Sequence, residues 1–165
     1  MSVRIESHEE EFLEALEMAR TRALIRIGFQ AEGYAVDLAP VDTGLLRNSI
    51  TFALSGESPQ KNNYKSKKGD KSGSYSGKAP AGENGKETVY IGTNVEYAAY
   101  VELGTGAKNT PGGRPDPWGY IDDDGNAHHT GGQKAQPFLG PAVSGHKDTY
   151  RNIIIDEYKN IPNEF

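Results

Sequence analysis

The stretch that decides the fold is VEYAAYVELGTG, residues 95–106. It follows TVYIGTN (88–94), which alternates like a β-strand, and then changes to a short Ala-rich, aromatic turn ending on Glu-Leu-Gly-Thr-Gly. The spacing predicts a helix over 96–103, because Gly104 can take the left-handed conformation that ends one. Tyr97, Tyr100 and Val101 would then share one face and plug the junction between sheet and helix. Glu102 would lie in the last turn, where the helix dipole opposes a carboxylate. A cation should offset it, and Arg47 is the expected partner.

Working outward, Ser7 to Leu38 reads as one long amphipathic helix. Ser7 and Glu10 form a capping box, and Glu9, Glu10 and Glu11 suit the first turn. Leu16, Ala19, Ala23, Ile27, Ala31, Tyr34 and Leu38 step by three or four along one apolar face. Gly28 and Gly33 would permit a close approach or a bend, and Pro40 ends the helix. Residues 48–54 (NSITFAL) and 88–92 (TVYIG) read as strands. WGYIDDDGNAHHT (118–130) reads as a hairpin, with Trp118 and Tyr120 on one arm and Asp124-Gly125-Asn126 as the turn. A last helix starts at QPFLGPAV (136–143), where Pro137 or Pro141 suits the first turn. Its apolar face would hold Leu139, Val143, Tyr150, Ile153, Ile154 and Tyr158, and Pro162 closes it.

The expected fold is therefore α+β: a long N-terminal helix and a C-terminal helix packed on a small antiparallel sheet, as a single domain over 1–165. Two long polar loops, 56–87 and 104–135, extend from it. The first carries seven lysines against four carboxylates, so it is +3 and the rest of the chain −8. It has almost nothing to bury and is expected to be mobile alone and ordered by a partner.

The net charge of −5 argues against a general nucleic-acid binder. There is no cysteine, which removes disulfides, thiolate metal sites and a Cys nucleophile. The N-terminus lacks the apolar core of a secretory signal, and the longest apolar run, Tyr97 to Val101, is too short to span a bilayer. With Gly125 at position 6 of a calcium loop, positions 1 and 12 fall on Tyr120 and Gly131, which supply no carboxylate, so Asp122-Asp123-Asp124 reads as an acidic turn. His128 and His129 are adjacent and would point to opposite faces of a strand, with His8 and His146 far away. No phosphate loop is present, and neither Ser49 nor Ser55 has a G-x-S-x-G setting. Lys61, Lys65, Lys67, Lys68 and Lys71 could touch DNA or could simply be solvated.

PVDTGLL (40–46) contains Asp42-Thr43-Gly44, which resembles the signature of retroviral-type aspartic proteases, with Tyr90-Ile91-Gly92 imitating their second element. The alternative function on that ground is a dimeric aspartic hydrolase. The other reading makes Asp42 a helix cap. The motif of such proteases follows a strand, whereas here a long helix and a proline precede it.

Three stretches together resemble one family: APVDTGLLRNSI (39–50), YAAYVELGTG (97–106) and AQPFLGPAV (135–143). They are similar, in order and spacing, to the tail-completion, or head–tail joining, proteins of long-tailed bacteriophages. Gly140 stands where members usually carry a larger, often basic residue. The resemblance implies a non-enzymatic subunit with no cofactor and no metal, found in the host cytoplasm before assembly and in the virion neck afterwards. It implies a sixfold ring of this chain between a head-completion (stopper) protein and a tail terminator or tail tube protein. DNA would pass through the lumen without specific binding, and no membrane is involved. The positions that carry the resemblance, and so the expected structural and interaction residues, are Asp42, Thr43, Gly44, Arg47, Tyr97, Tyr100, Glu102, Gly104, Thr105, Gly106, Pro137, Phe138 and Leu139.

Overall fold

A computed structural model describes residues 8–108, 110–111, 113, 115–116, 118–121 and 125–162. The expected α+β architecture is present. Helix α1 runs Glu9–Leu38, with the three glutamates in its first turn. Ser7 of the expected capping box lies outside the described residues. Residue 8 occupies the cap position without a side-chain cap hydrogen bond. The buried stripe is Ala19, Ala23, Ile27, Ala31 and Ala35, continuing into Ala39. This corrects the expected face: Leu38 is exposed, and Leu16 and Tyr34 are only half-buried. Steps of four residues overshoot one turn of 3.6, so the stripe winds round the helix and meets different partners along its length.

Near its middle α1 packs on a two-stranded antiparallel sheet, β1 (Thr51–Leu54) and β4 (Val89–Gly92), with Phe52 opposite Ile91. Gly28 is where they touch: a Cβ there would sit 2.2 Å from the ring of Phe52. Phe52 is itself buried and edge-on to Phe29, with centroids 4.8 Å apart. The strand expected to begin at 48 begins at Thr51, because Asn48 and Ser49 complete a short helix, α2 (Leu45–Ser49). All four β1 residues are buried, since α1 covers one face and the 56–87 segment folds over the other.

That segment is the largest difference from the sequence reading. It contains a hairpin, β2 (Asn63–Lys65) with β3 (Ser72–Ser74), and it does bury groups. Lys61 Nζ donates to Ile50 O at 2.8 Å and pairs with Glu32 at 2.6 Å. Gln60 N donates to Phe52 O at 2.9 Å. The Tyr75 hydroxyl donates to Ser49 O, and its buried setting raises the phenol pKa. Ser66 is buried, and its hydroxyl donates to Asp70, holding that carboxyl below its ordinary value. Polar chain can be held this way because its polar side chains and backbone groups, rather than apolar side chains, supply the contacts.

In the second excursion the hairpin forms as expected, β5 (Trp118–Ile121) with β6 (Ala127–Thr130). Gly125 lies in the connection, and Asp122–Asp124 lie outside the described residues. The C-terminal helix is split into α4 (Leu139–Ser144) and α5 (Lys147–Lys159). His146, at the break, stacks on Tyr34 of α1 with centroids 3.4 Å apart. The break rotates the two faces, so Val143, Ile154 and Tyr158 are exposed rather than inward, and the inward positions fall to Phe138, Ala142 and Glu157. Both helices pack on α1. The central cluster joins Ala35, Ala39, Leu46, Ile50, Val95, Val101, Phe138 and Ala142.

Candidate functional site

Helix α3 is Ala98–Leu103, two residues shorter at its start than expected, and Gly104 ends it at φ +73°. Glu102 does lie in its last turn, but Arg47 is not its partner. Its carboxylate accepts from the backbone N–H of Phe138 at 2.6 Å, of Leu139 at 2.9 Å and of Gly140 at 2.8 Å. These are orphan donors at the start of α4, so Glu102 caps a helix 36 residues further along the chain. The positive end of α4 thus supplies the compensation that was expected from a cation. Gly140 fits this arrangement, since a Cβ there would approach Glu102 Oε1 to 3.1 Å.

Arg47 closes a different helix end. Its Nε donates to Ala39 O at 3.0 Å and its Nη2 to Asp37 O at 3.1 Å, covering carbonyls at the end of α1 that have no helical partner. The guanidinium fork reaches both carbonyls at once.

The Gly-Thr-Gly that follows α3 grips the far root of the second excursion. Thr105 is fully buried; its N–H donates to Gln133 O at 2.8 Å, and its Oγ1 accepts from Gln133 N at 2.8 Å. Gln136 N donates to Val101 O at 2.8 Å. Gly104 is needed here twice over: its φ is positive, and a Cβ would lie 2.7 Å from both Gln133 O and Ala135 N. Gly106 sits against Gly131 and Gly132 in the same seam.

The Asp42-Thr43-Gly44 turn joins α1 to α2. Gly44, at φ +80°, precedes the helix without a side-chain cap, so Asp42 is not the expected cap; Thr43 Oγ1 instead accepts from Leu45 N at 3.4 Å. Thr43 O accepts from Lys67 N at 2.9 Å, and Asn48 Nδ2 donates to Lys65 O at 2.7 Å, which ties the first excursion to this turn. Asp42, Thr43 and Gly44 border a cavity of about 240 Å³ with Tyr97, Val101 and Gln136. Here the first two motifs meet the root of the third. Tyr97 and Tyr100 are each 42% exposed, so they do not plug the sheet junction; Val95, Ala98 and Val101 do. Pro137 is exposed, Phe138 is fully buried and Leu139 is half-buried.

One cluster had no recognisable motif. Glu157 on α5 accepts from Arg22 Nε at 2.9 Å and from Arg26 Nη1 at 2.7 Å, and Arg26 also reaches Asp156 at 2.7 Å. The guanidiniums of Arg22 and then Arg26 hold the Glu157 carboxyl below its ordinary value. The signal available was Arg22 and Arg26 one turn apart, but nothing in the sequence named their partners. Among the described residues no group of three or more His, Asp or Glu is placed to hold a metal ion, and no helix is long and apolar enough to cross a membrane.

The fold and this junction define an α+β protein in which several motif residues hold main chain. Glu102, Arg47, Thr105 and Thr43 all bond to backbone groups. The chain belongs to the HK97-gp10-like family, described as "Bacteriophage HK97-gp10, putative tail-component", which matches residues 4–104. It is accordingly a phage tail component. Comparison with curated proteins and with solved structures finds no match.

Proposed function

We propose that this protein is a non-enzymatic structural subunit of the phage neck, a tail-completion protein that joins tail to head. It assembles as a sixfold ring between the head-completion (stopper) ring and the tail terminator or tail tube protein. DNA passes through the lumen without specific binding, since a negative body repels phosphates. The protein stands in the host cytoplasm before assembly and in the virion neck afterwards.

The observation that supports this best is where the motif residues act. Glu102 and Thr105 lock the root of the 104–135 excursion, and Thr43, Asn48 and Ser49 hold the middle of 56–87 at Lys67, Lys65 and Tyr75. The result is a mount that holds both polar excursions. Around it large apolar side chains stay exposed, among them Phe29 on α1 and Ile154 and Tyr158 on α5, and neighbouring subunits would cover them.

Electron microscopy of particles assembled without this chain tests the reading. Separate heads and tails are expected; normally joined particles would overturn it.

A further inference from the structure

The first three turns of α1 do not belong to the body. Burial along the helix starts at Ala19, and between Glu9 and Met18 only Ala15 and Leu16 are even half-covered. Phe12, Leu13 and Met18 are 44%, 52% and 62% exposed. Glutamates at 9, 10, 11, 14 and 17 surround them. Among the described residues no cation pairs with Glu9, Glu10 or Glu14. Leu13 and Met18, ringed by these carboxylates, are exposed on the helix tip.

The opposite charge sits at the opposite end of the same helix. The β2–β3 hairpin is bonded to the turn that follows α1, through Lys67 N and Thr43 O. It carries Lys65, Lys67, Lys68 and Lys71, all exposed, with Asp70 the one carboxylate from 63 to 74. Its face is hollow: Tyr64, Lys65, Gly73 and their neighbours line an open depression of about 570 Å³. Glu10 and Leu38 lie at the two ends of α1, roughly 40 Å apart at 1.5 Å per residue, so tip and hairpin cannot meet within one chain.

We propose that the acidic, apolar tip of α1 docks on the basic β2–β3 hairpin of a second copy of this chain, head to tail. The proposal rests on the ring reading above and names the contact that builds the ring. Complementary patches at opposite ends make a heterologous interface, the kind that closes into a ring when the rotation permits. The protruding tip enters the hollow. Lysine stems cover Leu13 and Met18 while their ammonium groups reach the glutamates. The charges choose the partner face and the orientation, and the apolar side chains supply the buried area.

Charge reversal tests it, read as the yield of joined particles when each variant replaces the normal chain. K65E/K68E and E10K/E14K should each lower the yield about tenfold or more, because like charges then face each other at every contact. The variant carrying all four changes restores opposite charges and should recover the yield; a misfolded chain would not. Because the chain has no cysteine, L13C/K68C in joined particles should be linked by a bismaleimide into multimers. Monomers alone from L13C/K68C, or a four-residue swap no better than its halves, would overturn the contact while leaving the neck reading intact. Joined particles in the absence of the chain would overturn the neck reading itself.

Discussion

The Glu102 carboxylate lies 2.6 Å from the backbone N–H of Phe138, bridging the last turn of α3 to the first turn of α4. Leu139 and Gly140 donate to the same carboxylate. One side chain therefore fixes the position of Phe138, which is fully buried in the central cluster.

Replacing Glu102 by Ala leaves three helix-end N–H groups without their acceptor. A loss of about 1–3 kcal/mol is expected, since these bonds are charge-assisted. Arg47→Ala should cost about 1 kcal/mol through the carbonyls of Asp37 and Ala39. The two residues share no partner, so a double-mutant cycle by urea denaturation should give additive losses within about 0.5 kcal/mol. A larger coupling would mean that the two side chains interact after all.

The two glycines inside α1 should respond in opposite directions. Gly33→Ala meets nothing within 4 Å and should stabilise by about 1 kcal/mol through helix propensity. Gly28→Ala drives a methyl group into the Phe52 ring and should destabilise by about 1–3 kcal/mol, net of any propensity gain. Thermal unfolding of both variants checks the pair; equal signs would contradict the packing described here.

Acid should weaken the α1–α5 contact. Glu157 has a folded pKa below its ordinary value of 4.5, set by Arg22 and then Arg26. Its contribution is complete above about 4.5, where the unfolded chain is also ionised, and is lost as pH falls through the lower folded value. Glu157→Gln should therefore lack part of the stability loss that the unaltered chain shows in that acid range. Denaturant midpoints measured between pH 3 and pH 7 give the comparison.

Asp42 separates a structural subunit from a hydrolase. It lies in a turn after a helix, not after a strand, and does not cap α2. Asp42→Asn should leave the yield of joined particles close to normal, whereas a dimeric aspartic hydrolase would lose its activity completely. Complementation with the variant chain decides it.

Much of this protein was readable along the chain. The extent of α1, strands within 48–54 and 88–92, the glycine stop at 104 and the 118–130 hairpin all follow from local rules. Periodicity, turn chemistry and backbone sterics act over a few residues, so they leave a trace in the sequence. The three motif stretches were legible for the same reason, and they converge on one junction around residues 40–44, 97–106 and 133–140.

What each motif residue holds was not readable. Glu102 and Arg47 looked like a pair because opposite charges are the simplest match in sequence. In the folded chain each finds unsatisfied backbone groups instead, and backbone carries no residue-specific mark. The 56–87 segment looked bare because it lacks apolar side chains, yet Lys61, Ser66 and Tyr75 hold it by hydrogen bonds whose partners lie 4–26 residues away. Local composition chose the helices and strands. Their mutual docking depended on polar atoms meeting across the chain, and only the folded geometry brings those together.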